Sequence, residues 1–315
     1  MDVLVLSRAE VERLLDPAEL LAGLRRGFRD LSAGAVTAPE RNELAMPDAA
    51  FLLGMPGHRA GARMTVKVVT VFERNLARGI PSHLATIGLY DPGTGACTAF
   101  MDGTAITALR TSAAAVLSAD LLARRDARVA AVVGAGVQGE QHVRLLSLVR
   151  DLDEIRVASL VHADAEALAA RHPRARAVRS VRDAVRGADV VALATHAAEP
   201  VIEADWVAPG AHVSSVGYRP PRGELPLGVL ERGRVFVEAR LAYARPPAGC
   251  AELQGRDPGE ATELGELLLA PGRGRADDRE VTVYKAMGHV MEDLVAAELV
   301  LAAARRDGVG TTVEL

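Results

Sequence analysis

The sequence is poor in cysteine, in aromatic residues and in lysine. Its two cysteines, Cys97 and Cys250, have neither the spacing of metal ligands nor that of a disulfide framework. Aromatic residues make up only 3% of the chain, so alanine, valine and leucine must fill the core. The first residues lack the basic stretch and apolar block of a signal peptide. With so few cysteines, the sequence predicts a cytoplasmic protein.

An excess of positive charge is also absent. The net charge is −4 and the pI is about 6.1, which gives no basic field for nucleic acid or an anionic membrane. No apolar run in the sequence approaches the roughly 20 residues that a membrane-spanning helix needs. We therefore expect no nucleic-acid partner and no membrane partner. The 315 residues are enough for two domains.

The shortage of lysine is more informative. Of the 37 basic residues, only Lys67 and Lys285 are lysines. An ammonium group on a flexible stem can lose its proton when it is desolvated, whereas a guanidinium cannot. Because the chain uses arginine for its ordinary surface cations, each remaining lysine is a candidate for a role that needs an ammonium group. Leftover surface lysines are the alternative explanation.

Hydrophobic spacing predicts a mixed helix and sheet domain in the first third of the chain. Leucines and Phe28 recur at helical spacing, which predicts one helix over 7–31. An alanine-rich helix is predicted over 106–124. Between these helices we predict three strands, at 63–72, 84–90 and 97–101.

Strands and helices alternate in the middle of the chain. Strands are predicted at 128–133, 155–160, 190–194, 212–216 and 235–238, with helices at 138–149 and 163–171. This alternation is typical of a parallel sheet covered by helices. A final helix is predicted over 285–305. The predicted fold class is α/β: a Rossmann domain over 118–294, inserted in a mixed α+β substrate-binding and dimerisation domain over 1–117 plus 295–315.

The segment Gly134-Ala135-Gly136-Val137-Gln138-Gly139 is a GxGxxG motif in its required context, because an apolar strand precedes it and a helix follows. The first glycine permits the tight turn, the second lets backbone approach a pyrophosphate, and the third allows close packing of helix on strand. Free N–H groups and the positive end of the helix dipole favour phosphate. The motif predicts a nicotinamide dinucleotide cofactor.

The tip of the second predicted strand does not choose between NAD and NADP. NAD-binding proteins usually have an acidic residue about 20 positions after the glycine motif, on the ribose hydroxyls. Here the segment Ser159-Leu160-Val161-His162 has neither an acid nor an arginine. Ser159 could bind a ribose hydroxyl or a phosphate, and His162 could approach a 2′-phosphate. The choice of cofactor stays open at this point.

Several segments, in order along the chain, together resemble the ornithine cyclodeaminase and mu-crystallin family. The resemblance implies a homodimer with an N-terminal substrate and dimerisation domain that the C-terminal helix completes. A Rossmann domain lies between these two parts. The segments that carry it, besides the glycine motif, are Met64-Thr65-Val66-Lys67-Val68-Val69, Gly79-Ile80-Pro81-Ser82-His83, Met101-Asp102-Gly103-Thr104, Ile106-Thr107-Ala108-Leu109-Arg110-Thr111-Ser112-Ala113-Ala114 and Val281-Thr282-Val283-Tyr284-Lys285.

By this resemblance Lys67 looks like the family's active-site lysine, and Arg41 and Arg110 look like the ligands of the substrate carboxylate. A small amino or imino acid needs its carboxylate held, and an arginine fork does this bidentately. Lys67 can polarise or protonate the reacting carbon–nitrogen centre if nearby arginines lower its pKa. The alternatives are surface salt bridges for the two arginines and a solvent-facing strand position for the lysine.

The resemblance also implies residues on the nicotinamide side of the cofactor. Thr195 follows a predicted strand, so it lies at the carboxyl end of the sheet, where ligands bind. Lys285 is predicted to open the last helix and is not included in the catalytic set. The residues assigned to the nicotinamide side are Ser82, His83, Thr111 and Thr195, and Arg110 is assigned to the cofactor as well as to the substrate.

One position departs from the family's cyclodeaminases. Where they have a proton-accepting aspartate, two residues after a glycine, this chain has Arg219 after Gly217. Arginine cannot serve as that base, whereas Glu224 belongs to a common Glu-Leu pair and is interpreted as structural. The leading hypothesis is therefore an NAD(P)H-dependent reductase of the C=N bond of a small 2-imino acid. The alternatives are an ammonia-lyase that uses NAD catalytically and a non-catalytic binder of small molecules.

Overall fold

The structure, a computed structural model, describes residues 1–315. The chain divides into two compact units: the first unit comprises residues 1–110 and 289–315, and the second unit residues 111–288. The sequence places these boundaries at 117 and 294. The first boundary is invisible to pattern analysis because it falls inside one continuous helix, Gly103–Leu122.

Sixteen strands are numbered in chain order. They are β1 (Asp2–Leu6), β2 (Val36–Thr37), β3 (Asn42–Ala45), β4 (Phe51–Arg59), β5 (Met64–Val71), β6 (His83–Tyr90), β7 (Cys97–Asp102), β8 (Val129–Val133), β9 (Glu154–Ala158), β10 (Ala175–Ala177), β11 (Val190–Leu193), β12 (His212–Ser215), β13 (Gly233–Val237), β14 (Thr262–Glu263), β15 (Val281–Lys285) and β16 (Thr311–Glu314).

Nine α-helices complete the framework, together with short 3₁₀ turns. They are α1 (Arg8–Leu14), α2 (Pro17–Ser32), α3 (Gly103–Leu122), α4 (Val137–Val149), α5 (His162–Ala169), α6 (Val181–Val185), α7 (Leu227–Arg232), α8 (Leu264–Leu269) and α9 (Val290–Asp307).

Two helix predictions were wrong in their bounds. The helix predicted over 7–31 is two helices, because Asp16 caps α2 by accepting from Ala18 N and Glu19 N, each at 2.9 Å. Pro17 has no N–H with which to continue α1. The final helix begins at Val290 and not at Lys285, which ends β15. The β-branched and aromatic residues that precede Lys285 favour a strand over a helix.

The first unit is built on a mixed sheet in the order β16-β1-β7-β6-β5-β4-β2, with β3 paired to β4. Only the pair β1–β7 is parallel, and the remaining pairs are antiparallel. Along β5 every second residue is buried, so one face of the sheet is covered. Helix α9 packs against this sheet and against α2.

Small residues fix the position of the first turns of α9. A Cβ on Gly27 of α2 would lie 2.2 Å from Met291 Sδ, and a Cβ on Gly57 of β4 would lie 2.6 Å from Val290 Cγ1. Both glycines therefore allow a closer approach than any other residue would. The beginning of α9 is held from two sides, which matters because it carries charged side chains.

The second unit contains an entirely parallel sheet in the order β10-β9-β8-β11-β12-β15-β13-β14. The order reverses between β8 and β11, which is the switch point at which α/β sheets bind ligands. Valine, alanine and leucine fill the strands, as continuous burial requires. The predicted α/β fold class is confirmed, and the sheet extends beyond prediction through β10, β14 and β15.

Helix α3 is long and apolar enough, by length and composition, to cross a membrane. Inside the protein, 72% of its most apolar window is buried. Its apolar residues therefore form core, as in a helix of a soluble protein.

Candidate functional site

Lys67 lies in the middle of β5 and faces the covered side of the sheet. Its side chain is almost completely buried, with 1% of the residue exposed. Nζ donates a hydrogen bond to Asp293 Oδ1 at 2.9 Å, and the two groups form a buried ion pair. The interpretation of Lys67 as a solvent-facing strand residue is therefore wrong.

Two carboxylates at the beginning of α9 bind the cations of this cluster. Arg110 donates from Nη1 to Glu292 Oε2 and from Nε to Asp293 Oδ1, each at 3.0 Å. Both acids and both cations are buried. The first turns of a helix stabilise negative charge, so α9 supplies the carboxylates at the place where they are most favourable. We call Lys67, Arg110, Glu292 and Asp293 the charged cluster.

One oxygen of the charged cluster lacks a partner. Lys67 and Arg110 both bind Oδ1 of Asp293, while Oδ2 is buried and accepts no hydrogen bond from the protein. A buried carboxylate oxygen without a donor is unfavourable by roughly 1–3 kcal/mol or more. A water molecule or a ligand with an N–H group would remove this penalty.

Burial and neighbouring charges shift the pKa values of the cluster in opposite directions. Desolvation and the charge of Arg110 together lower the pKa of Lys67 to about 8, against Asp293 and Glu292, which act to raise it. Burial alone would raise the pKa of Asp293, but Arg110 and Lys67 outweigh it and hold that pKa below its ordinary value. Lys67 is therefore a cation that can release its proton near neutral pH, beside a carboxylate that stays ionised.

Arg41 belongs to the same region of the first unit. It precedes β3 and is half-buried. His289, the residue that caps α9, experiences the positive charges of both Arg41 and Arg110, so both guanidinium groups lie within electrostatic range of its ring. Arg41 and Arg110 thus act on the same ring, at the beginning of α9.

In the second unit, the glycine motif has the geometry that a pyrophosphate requires. Gly134 has φ +111°, and a Cβ there would lie 2.3 Å from Ala194 O. A Cβ on Gly139 would lie 2.0 Å from Gly134 O, whereas one on Gly136 would meet nothing within 4 Å. The first and third glycines are thus required by packing, and the second faces open space. The motif fits a dinucleotide.

The beginning of α4 offers its N–H groups to that open space. Gly136 is the N-cap and has no side chain to occupy them, and Val137, the first helical residue, is largely exposed. Ala135 completes the turn between β8 and α4. The side chain of Gln138 is bound to Ser112, whose Oγ donates to its Oε1 at 2.7 Å. The side chain of Gln138 is therefore already engaged within the second unit.

The other residues assigned to the cofactor in the second unit lie at the same edge of the sheet. Thr195 follows β11, and its Cγ2 lies 3.4 Å from the position of a Cβ on Gly134. Its N and Oγ1 both donate to Glu224 Oε2 at 2.7 Å. Ser159 follows β9, whose last residue, Ala158, accepts from Gly134 N at 2.8 Å. The structure brings Ser159 and Thr195 to the two sides of the glycine motif.

The buried carboxylate of Glu224 holds several groups together at this edge of the parallel sheet. Besides Thr195, it accepts from Ser215 Oγ at 2.9 Å and from Gly217 N at 2.7 Å. Lys285 donates to Ser215 Oγ and to Gly217 O, at 3.0 and 2.7 Å, and pairs with Glu252 at 2.8 Å. Lys285 is thus buried at the end of β15, and the structure shows no surface lysine.

Ser82 and His83 lie in the first unit, apart from Lys67. His83 opens β6 opposite Val71, and Ser82 Oγ and His83 Nδ1 are 3.0 Å apart. Val71 is four residues beyond Lys67, which is about 13 Å along a strand. Thr111 is half-buried and is the first residue of the second unit. The charged cluster therefore does not include these three residues.

Sequence analysis missed three residues around Lys67: His289, Glu292 and Asp293. The helix prediction began at Lys285, so the residues of the true first turn were not recognised. Asp293 is also 226 residues from Lys67 along the chain. A signal existed, since Glu292 and Asp293 are adjacent acids with apolar residues on both sides of them in α9. Such acids are buried only when they are paired.

Arg219, at the position of the cyclodeaminase aspartate, is in the exposed segment after β12. Its Nη1 donates to His196 O at 3.1 Å. Glu224, a few residues further along the same segment, already accepts four hydrogen bonds. No free base therefore replaces the aspartate at this position.

Comparison with known proteins identifies the family of this chain. Residues 1–308 match the ornithine cyclodeaminase/mu-crystallin family. The ketimine reductase mu-crystallin of Mus musculus is 36% identical over 271 residues, which are 85% of each chain. The structure of Thermococcus litoralis Delta(1)-pyrroline-2-carboxylate reductase in complex with NADH and L-proline superposes with a TM-score of 0.92 at 32% identity, over 99% of this chain and 100% of that one.

A third similar protein is an archaeal alanine dehydrogenase, a dimer with bound NAD. Its TM-score is 0.89 at 26% identity, and all of both chains is covered. The match therefore includes both units. By its sequence, its fold and its buried lysine, this chain belongs to the ornithine cyclodeaminase/mu-crystallin family.

Proposed function

We propose that the protein is an NAD(P)H-dependent oxidoreductase that reduces the C=N bond of a small 2-imino acid. Cyclic ketimines such as pyrroline- or piperideine-2-carboxylate are candidate substrates, as are imines formed from a 2-oxo acid and an amine. Oxidation of the corresponding amino acid is the same reaction reversed. The observation that carries this proposal is the charged cluster, in which a buried lysine with a pKa of about 8 lies beside Arg110 and two carboxylates.

The substrate carboxylate is bound by Arg41 and Arg110. Each guanidinium can bind a carboxylate through two N–H groups. Arg110 keeps its two α9 partners at 3.0 Å, which fixes the plane of its guanidinium. A pre-oriented fork loses less entropy when it binds a carboxylate.

Lys67 and Asp293 act on the substrate nitrogen. An iminium accepts hydride more readily than a neutral imine, so the site must keep that nitrogen protonated. Lys67 can supply the proton because its pKa, about 8, lies close to physiological pH. The unpartnered Oδ2 of Asp293 then accepts a hydrogen bond from the N–H group. A carboxylate for the substrate nitrogen is thus available although position 219 is an arginine.

The bound dinucleotide supplies the hydride. The backbone around Gly136 holds its pyrophosphate, and Glu224 fixes Thr195 beside the glycine motif. At the tip of β9, Ser159 is half-buried and Leu160 fully exposed. Neither residue is charged, and the Ser159 hydroxyl can bind either a ribose hydroxyl or a 2′-phosphate. We therefore propose that the protein accepts both NADH and NADPH, with modest discrimination between them.

The protein is proposed to be a cytoplasmic homodimer. A related archaeal enzyme is a dimer, and the first unit of this chain exposes several large apolar side chains. Such exposed residues are typical of an interface. The two cysteines are unpaired, as in the cytoplasm. The exposed apolar residues of the first unit include Leu44, Met46, Leu76, Ile80, Leu84 and Phe100.

The test is a set of assays on purified protein. NADH or NADPH is supplied with a panel of cyclic ketimines, and with pyruvate plus ammonia or methylamine. Loss of the absorbance of the reduced nicotinamide supports the reductase. If ornithine and trace NAD instead yield proline and ammonia without net use of cofactor, the protein is a cyclodeaminase and the proposal is wrong.

Two variants of Lys67 assign its role. Lys67→Met should abolish turnover while NADH still binds, measured by quenching of nicotinamide fluorescence. Lys67→Arg keeps a positive charge that cannot release its proton, so it should also lose turnover if proton supply is the role of Lys67. Unchanged turnover in the Met variant would remove Lys67 from the mechanism.

A further inference from the structure

His289 is an unusual N-cap, because its ring and not a hydroxyl or carboxylate closes α9. Its Nδ1 accepts a hydrogen bond from Met291 N at 3.1 Å. In return, Glu292 Oε1 accepts from His289 N at 3.1 Å, and the capping box is complete. A ring nitrogen that accepts a backbone N–H carries no proton. In neutral His289 the proton is therefore on Nε2.

The surroundings of the ring keep His289 neutral. Burial, Arg41 and Arg110 together lower its pKa to about 4, while Asp293 opposes them. At physiological pH the ring is therefore an uncharged donor with a fixed tautomer. The side chain is only half-buried, so a ligand can reach it.

Arg110 lies at the same turn as His289, because Glu292 accepts from Arg110 Nη1 and from His289 N, and Arg41 acts electrostatically on the His289 ring. The beginning of an 18-residue helix adds its positive dipole end at this place. Glu292 and Asp293 already bind Arg110, so an incoming carboxylate gains from a further N–H donor. Adding a third cation there would increase repulsion among the cations, whereas a neutral ring adds a hydrogen bond without adding charge.

We propose that His289 Nε2–H donates a hydrogen bond to the substrate carboxylate, as a third ligand beside Arg41 and Arg110. This inference rests on the proposed function for the identity of the carboxylate. It makes His289 a binding residue that orients the imino acid before reduction. Its contribution is to affinity, because the carboxylate keeps its charge throughout hydride transfer.

The experiment uses His289→Asn, which separates the two roles of the ring. Asparagine is a good N-cap and can still accept from Met291 N, but it has no donor at the position of Nε2. A hydrogen bond to a charged group corresponds to a factor of about ten or more in affinity. We expect KM for a cyclic ketimine to rise by about that factor while kcat stays nearly constant, the signature of lost ground-state binding. The melting temperature should stay close to that of the parent protein.

Direct binding provides a second readout that does not depend on turnover. Pyrrole-2-carboxylate, a planar carboxylate that cannot be reduced in this way, is titrated into the protein with NADH present. The same substitution at His172, in the second unit, is the matched control. We expect weaker binding of pyrrole-2-carboxylate to the His289→Asn protein alone, by the same factor as the rise in KM.

The outcomes separate this inference from the proposed function. If the parent protein reduces ketimines and the His289→Asn variant shows the parent KM and the parent affinity for pyrrole-2-carboxylate, the inference about His289 is overturned. If the parent protein reduces no ketimine but binds pyrrole-2-carboxylate, and the variant binds it more weakly, the proposed function is wrong. The inference that His289 binds a carboxylate is then still supported.

Discussion

Replacing Asp293 by asparagine would remove one negative charge from between Lys67 and Arg110 with little change in shape. Both cations bind the same oxygen, Oδ1, at 2.9 and 3.0 Å. The amide oxygen of asparagine can still accept a hydrogen bond from Lys67. The substitution therefore removes the charge that favours the protonated lysine, and it also replaces one carboxylate oxygen by an N–H donor.

The size of the effect follows from the distance. Opposite unit charges about 4 Å apart attract by about 4 kcal/mol at an effective dielectric constant of about 20. One pKa unit corresponds to about 1.4 kcal/mol, so complete loss of the attraction is worth about three units. Glu292 remains close to Lys67 and the hydrogen bond is retained. We therefore expect the pKa of Lys67 to fall from about 8 by about one to two units.

The sign of the change in activity is fixed by the role of Lys67. If the protonated lysine is the active form, kcat/KM falls as the pH rises through the pKa of Lys67 in the free enzyme. In the Asp293→Asn protein this alkaline limb should move to lower pH, by the same one to two units. The ketimine titrates as well, but identically with both proteins, so the difference between the two profiles belongs to the enzyme.

The lysine can also be titrated directly. Because the chain has only two lysines, protein labelled with ¹³C-lysine gives two sets of Cε–Hε resonances, and the Lys67→Met variant assigns them. The control is Glu298→Gln: Glu298 is also on α9 and pairs with Arg63 at 3.0 Å, but it is partly exposed. An unchanged pKa of Lys67 in the Asp293→Asn protein, or an equal shift in the Glu298→Gln protein, would refute this reasoning.

Two further predictions concern the second unit. Gly139→Ala places a Cβ 2.0 Å from Gly134 O, whereas Gly136→Ala meets no protein atom within 4 Å. Thermal melts should therefore show a destabilised fold for the first variant only, and NADH titration should show weaker binding for the Gly136→Ala protein with its melting temperature retained. Ser159→Asp introduces an acid at the tip of β9, which favours ribose hydroxyls and repels a 2′-phosphate. The ratio of kcat/KM for NADH to that for NADPH should rise by about tenfold or more, and an unchanged ratio would place the adenosine ribose away from Ser159.

The second unit was largely predictable because its signals are local. The glycine motif, the strand before it and the helix after it lie within about 20 residues, and each glycine has one geometric role. The missing acid at Ser159 was equally visible, and the alternation of strands and helices predicted the parallel sheet. The strand at 281–285 was not predicted, because a strand and a short helix segment have similar apolar patterns.

The surroundings of Lys67 could be predicted only in part. The scarcity of lysine and the resemblance pointed to Lys67, Arg41 and Arg110, but no local pattern joins Lys67 to Asp293. Their contact depends on how α9 packs on β5, which Gly27 and Gly57 determine by their lack of side chains. Long-range packing of this kind is only weakly indicated by the sequence. Here the one indication is the pair Glu292 and Asp293, which has apolar residues on both sides in α9.

Burial of both lysines has a practical consequence. Each unit contains one lysine, Lys67 in the first and Lys285 in the second, and at most 1% of either residue is exposed. Acylating reagents and a lysine-specific protease therefore have no lysine to attack in the native chain, and reaction at either residue reports the opening of its own unit. Modification rates measured with and without a bound imino acid would thus give the local stability of each unit in one experiment, without any engineered label.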